Sequence, residues 1–226
     1  MAKNILLLIL IFTSNIVYAN PGISLGQTRL IYKSNEKQGS VDINNSDNKA
    51  FLIQSWITKT PESKEKEDGI FIITPPLYRL EADSSNSIRI VYIGNSLPND
   101  RESLFWLNVK AIPSTKKTDQ NTLIIAIKSQ IKLFYRPSNL SGDPVDAYKN
   151  TKFFIKNNKL IIDNPTPYYI NFNSIKIDGV ELNETITLAP FSNKQINKNV
   201  SVGQIATWNV INDYGAITPV TKVSIK

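Results

Sequence analysis

Short apolar runs, broken at close intervals by turn-forming clusters, set the rhythm of this 226-residue chain. "SVDIN" alternates at Val41 and Ile43, and "FLIQSWI" is rich in β-branched and aromatic residues. "SIRIVYIG" sets Ile88, Ile90 and Tyr92 against Arg89, Val91 and Ile93, and "SLFWLNVKAI" follows. Between these runs stand "NNSDN", "PESKEKEDG", "TPP", "ADSSN", "GNSLPND" and "PSTKKTDQN". Strands of period two with frequent turns predict an all-β sandwich, and no long window carries the 3.6-residue helical period.

The rhythm falters once, at "YRPSNLSGDPVDAYKN". Prolines, a glycine and polar residues there predict a linker. We therefore expect a first domain over residues 20–138, a linker over 139–150 and a second domain over 151–226. The second half resumes with "KFFIK", "KLIID", "YYINFNSIKI", "ETITLAP", "IATWNVIN" and "PVTKVSIK". Asn157-Asn158 and Asp178-Gly179 sit between apolar runs and predict tight hairpins, because these residues tolerate positive φ.

The first residues read differently. Lys3 precedes an apolar run of eight, Ile5 to Phe12, and Val17-Tyr18-Ala19 offers a cleavage site. Eight residues fall short of the roughly 20 that span a bilayer, so residues 1–19 predict a secretory signal peptide cut after Ala19. With 0 cysteines the exported chain must fold without disulfides. With 0 histidines it cannot build a Ser-His-Asp or Cys-His nucleophile, nor a zinc site of the usual Cys/His kind. The net charge is +7, but the lysines are scattered and "ESKEKEDG" mixes both signs, so nucleic-acid binding is not expected.

One stretch asks for more than a sandwich. Taken as a strand, "NTLIIAIKSQIKLFYRP" puts Leu123, Ile125 and Ile127 on one face, while Ile124 and Ala126 make the other face apolar too. A sandwich strand needs only one apolar face. Either this strand lies buried between two sheets, or its second face meets another molecule.

The segment "LPNDRESLFWLNVKAIP", Leu97 to Pro113, resembles the signature of the periplasmic pilus chaperones, the PapD-like family. "GQTRLIY", "TPPLYRLE", "IKLFYRP", "DNPTPYYI" and "INDYGA" agree, in the family's order. The resemblance implies two immunoglobulin-like β-sandwich domains at an angle, with a cleft between them. It implies a non-enzymatic periplasmic protein that lends a strand to pilus subunits lacking their last strand and delivers them to an outer-membrane usher. No cofactor, metal or small-molecule substrate is implied. Leu123, Ile125 and Ile127 then become the face offered to the subunit, with Ile124 and Ala126 packed in the chaperone's own core.

The resemblance also assigns Arg29 and Lys132 to the cleft as anchors for a subunit's C-terminal carboxylate. It makes Glu102, Arg136 and Asp213 an ionic network at the domain interface. Residue types alone would leave all five as surface charges. Lys132 raises a difficulty, because its even position opposes the odd aliphatic set; a bulge or strong twist between Lys128 and Ile131 would reconcile them. Many relatives carry a disulfide in the second domain, which this chain lacks. The short loop "PSTKKTDQN" resembles the short-loop branch of the family. A pilus subunit or adhesin of similar sandwiches is the alternative, but only "NPGIS" precedes "LGQTR", too little for a subunit's own donor extension. A glycosidase would need two acids in a cleft, and no acidic pair has a supporting motif.

Overall fold

The computed structural model describes residues 22–67, 69–94, 96–114 and 123–226. The predicted signal peptide and most of the loop ahead of Leu123 lie outside them. Nine strands build the first domain: β1 (Ile23–Leu25), β2 (Arg29–Lys33), β3 (Gly39–Asn45), β4 (Phe51–Thr58), β5 (Phe71–Thr74), β6 (Leu77–Leu80), β7 (Ser84–Tyr92), β8 (Ser103–Pro113) and β9 (Ile127–Arg136). They form two facing sheets, ordered β1-β3-β7-β5 and β2-β9-β8-β4-β6. Alternation decides what each strand buries. Val41 and Ile43 of β3 and Ile88 and Ile90 of β7 enter the core, while Asp42 and Arg89 between them face water. Phe105, Leu107, Val109 and Leu133 meet them from the second sheet.

The second domain has β10 (Lys152–Lys156), β11 (Lys159–Asn164), β12 (Ile170–Ile177), β13 (Val180–Glu181), β14 (Thr187–Leu188), β15 (Ser192–Ile196), β16 (Ile205–Val210) and β17 (Thr221–Ser224). Sheet β10-β11-β15 faces sheet β13-β12-β16-β17, and β14 adds to β12. Asn157 and Asn158 both take positive φ, as do Asp178 and Gly179, and both predicted hairpins close there. A separate core gathers on Trp208, whose ring packs on Phe153. Its Nε1–H donates to the carbonyl of Tyr148 at 3.0 Å. Ala147 and Tyr148, at the end of the predicted linker segment, belong to this core in a short 3-10 turn.

Several contacts join the domains. The N–H of Glu102 donates to the carbonyl of Pro167 at 2.9 Å. Phe134 of β9 packs on Tyr169, ring centroids 5.6 Å apart. Gly215 comes so close to Thr28 that a Cβ there would collide with the threonine hydroxyl, and its φ of 82° also excludes most side chains.

Candidate functional site

β9 starts later than its sequence predicts. Its ladder with β8 begins at Ala111↔Ile127 and runs without a shift to Ser103↔Tyr135. The same register would set Ile125 opposite Pro113, which has no N–H to give, and the ladder stops. Leu123, Ile124, Ile125 and Ala126 therefore lie outside any strand, and all four are exposed. Leu123 is 84%, Ile125 65% and Ile127 66% exposed. The expectation that Ile124 and Ala126 pack into the domain's own core is not met: Ile124 is itself 53% exposed.

The unbroken register also removes the expected bulge between Lys128 and Ile131. Alternation in β9 is strict. Ile131 and Leu133 enter the core, so Ile127, of the same parity, continues the core face beyond the point where the core ends. Lys132, Phe134 and Arg136 share the opposite face, which looks toward the second domain. Ile127, the one member of the aliphatic set within β9, thus lies on the face opposite Lys132.

The edge of β9 is open over half its length. β2 pairs with it in parallel only from Arg29↔Lys132 to Lys33↔Arg136. Among the described residues, Ile127 to Ile131 have β8 on one side and no strand on the other. Arg29 and Lys132 are the first pair of the β2 ladder, so the unpaired edge ends at two neighbouring cations.

The surroundings of these cations are short of anions. Arg29 donates from Nη1 to the carbonyl of Ile211 at 3.1 Å, and its buried Nε finds no partner among the described residues. Lys132 donates from Nζ to Asn171 Oδ1 at 2.6 Å and Thr187 Oγ1 at 2.8 Å, and lies 5.8 Å from the Trp106 ring centre. Burial, then the nearby Arg29 charge, pulls the Lys132 ammonium down to about 8. Burial also lowers Arg29 from its ordinary value, opposed by the charge of Asp213. Both groups would gain from a negative partner.

Arg136 has its anions already. Its Nε donates to Glu102 Oε1 at 2.6 Å, and Nη1 and Nη2 form a fork onto Asp213 at 2.7 and 2.9 Å. Desolvation works against its charge, yet Asp213 and Glu102 outweigh it and hold the pKa above the ordinary value. Glu102 is buried and accepts a second bond from the N–H of Tyr169 at 2.7 Å. Burial pushes its carboxyl up, while Arg136 and that N–H pull it down. The structure therefore brings Glu102 and Arg136 of one domain together with Asp213 of the other. Beside them a cleft of about 700 Å³ opens between the domains, lined by Arg29, Ile31, Phe134, Tyr169 and Ile211 among others.

Sequence reasoning missed Asn171, Thr187 and Ile211. All three are polar or backbone acceptors from the second domain, distant in sequence from the cations they meet. Parity along β12 gave no sign that Asn171 would face Lys132.

Comparison with known proteins places this geometry. Residues 22–141 match the pili and flagellar-assembly chaperone family, PapD N-terminal domain. Residues 146–222 match the pili assembly chaperone PapD, C-terminal domain. The chaperone protein FimC of Escherichia coli (strain K12) is 42% identical over 205 residues, 89% of this chain and 83% of that protein. The SafB chaperone of Salmonella enterica, solved in complex with the SafA pilin, superposes with a TM-score of 0.79 at 31% identity, covering 92% of this chain and 98% of that one. The periplasmic chaperone SfaE gives a TM-score of 0.78 at 37% identity over 91% of this chain and 100% of that one. With both domains matched in order and 42% identity to a relative over 89% of the chain, this chain belongs to the PapD-like family of pilus assembly chaperones.

Proposed function

We propose that this chain captures pilus subunits in the periplasm by donor-strand complementation, caps them, and passes them to an outer-membrane usher, without catalysing a reaction. Residues 1–19 serve as the export signal. The observation that carries this reading is the aliphatic segment Leu123–Ile127, left exposed beside an unpaired strand edge that ends at Arg29 and Lys132. An open edge is normally a liability for aggregation. Here it supplies the strand the subunit lacks.

The direction of the guest follows from the geometry. A subunit strand lying along Ile127–Ile131 occupies the column that β2 fills further on. If its C-terminus meets Arg29 and Lys132, it runs parallel to β9, as β2 does. Burying three aliphatic side chains contributes about 1.5–3 kcal/mol each. Association alone costs about 4–15 kcal/mol. The apolar contacts therefore need the backbone ladder and a charge-assisted anchor, about 1.5–3 kcal/mol per bond to a charged group. Arg29 and Lys132 are suited to that anchor, and Glu102, Arg136 and Asp213 to fixing the domain angle that keeps it in place.

The test is co-expression with each candidate subunit, followed by pull-down. Arg29→Ala and Lys132→Ala should each abolish subunit recovery while leaving the thermal unfolding of the chaperone intact. Normal subunit levels with both variants would remove the anchor.

A further inference from the structure

We infer that Asn171 and Thr187 of the second domain are positioning residues for the Lys132 ammonium, so that the carboxylate site is complete only when both domains contribute to it. The inference rests on the anchor role proposed above and goes beyond it by adding a second-domain half to the site.

Three observations carry it. First, the two side chains are placed as a pair. Asn171 of β12 stands opposite Thr187 of β14 in the ladder, and both oxygens lie within hydrogen-bond reach of the same Nζ, at 2.6 and 2.8 Å. The Thr187 hydroxyl can donate its own proton to Asn171 Oδ1, 3.3 Å away, closing a triangle around the ammonium. Second, the same patch reaches Arg29. The N–H of Ile211 donates to the carbonyl of Asn171 at 2.9 Å, and the carbonyl of Ile211 accepts from Arg29. One connected piece of the second domain therefore steers both cations of the first. Third, every acceptor in that piece is neutral. A lysine bonded to a carboxylate is satisfied; a lysine bonded to an amide and a hydroxyl, next to an arginine, is aimed but still seeks an anion.

Two of the three ammonium protons are committed, which leaves one for an incoming carboxylate. A lysine side chain is flexible, and ordering it opposes binding. Holding it in advance removes that cost from capture. The arrangement also couples the anchor to the domain angle, because Lys132 and its two acceptors lie on different domains.

The experiment uses the full mature chain and two synthetic peptides of alternating apolar sequence, one ending in a free carboxylate and one amidated. Calorimetric titration gives the preference for the free acid. Thr187→Val and Asn171→Leu should each reduce that preference roughly ten-fold while leaving the affinity for the amide unchanged. Thr187→Ser, which keeps the hydroxyl, should restore it. Full wild-type preference in both variants, or equal weakening of both peptides, overturns the inference. If Asn171→Leu fails to fold, the Thr187 pair of variants decides. A wild-type chain that does not distinguish the two peptides would instead overturn the underlying anchor role.

Discussion

Lys132 is buried against neutral acceptors, and with the anchor role proposed for it this gives it a measurable pH dependence. Its pKa in the folded chain is about 8, against an ordinary 10.5. Between those values the unfolded chain binds more protons than the folded one, so stability rises with pH across that window. The cost of burying the ammonium is fully present below about pH 8. Capture works in the opposite sense, because a carboxylate needs the charged form. Affinity for a free-acid peptide should fall as pH rises above about 8, with proton uptake on binding in that range, and Lys132→Met should flatten both effects. Glu102 makes a different prediction. It is 2% exposed at the side chain and bonds Arg136, so Glu102→Ala leaves a buried cation short of a partner. Breaking a buried pair this way typically costs about 3–5 kcal/mol, part of it offset here by Asp213. Denaturant unfolding of the variant measures it.

At the scale of elements, the exposed segment leading into β9 and the face of β9 toward the second domain carry separate proposed roles. Ile125→Asp should barely change the melting temperature of the free chaperone, since Ile125 is 65% exposed, yet it should strongly weaken subunit capture in the pull-down. A larger loss of stability than of capture would return this segment to the ordinary core of its own domain. Most of the β architecture was legible beforehand. Val41, Ile43, Ile88 and Ile90 announce their buried faces by alternation, and Asn157-Asn158 and Asp178-Gly179 announce their hairpins by their tolerance of positive φ. The start of β9 was not legible, because it depends on Pro113 falling where the register would place a partner for Ile125, which alternation within one strand cannot reveal. The same holds for the acceptors of Lys132. Asn171 and Thr187 stand 39 and 55 residues away, and no local pattern marks either.

The whole molecule depends on the contact between its halves. Arg136 bridges Glu102 and Asp213, and Gly215 lets the second domain rest against Thr28. Gly215→Val meets both the positive φ and the threonine, so it should open the domains, enlarge the radius of gyration by small-angle scattering and weaken subunit capture, with each domain's own core intact. An unchanged scattering profile with normal capture would show that this contact is dispensable.

The unbroken ladder from Lys132 back to Ile127 has a consequence for the clients. Those two positions are five strand residues apart, about 17 Å at the usual rise. If Arg29 and Lys132 anchor the tail as proposed, this spacing makes the chaperone a fixed gauge. On that proposal, a subunit lengthened by one residue at its tail could not seat its end on the cations and still present the same side chains to the aliphatic stripe, so tail length would be a criterion by which guests are accepted or refused.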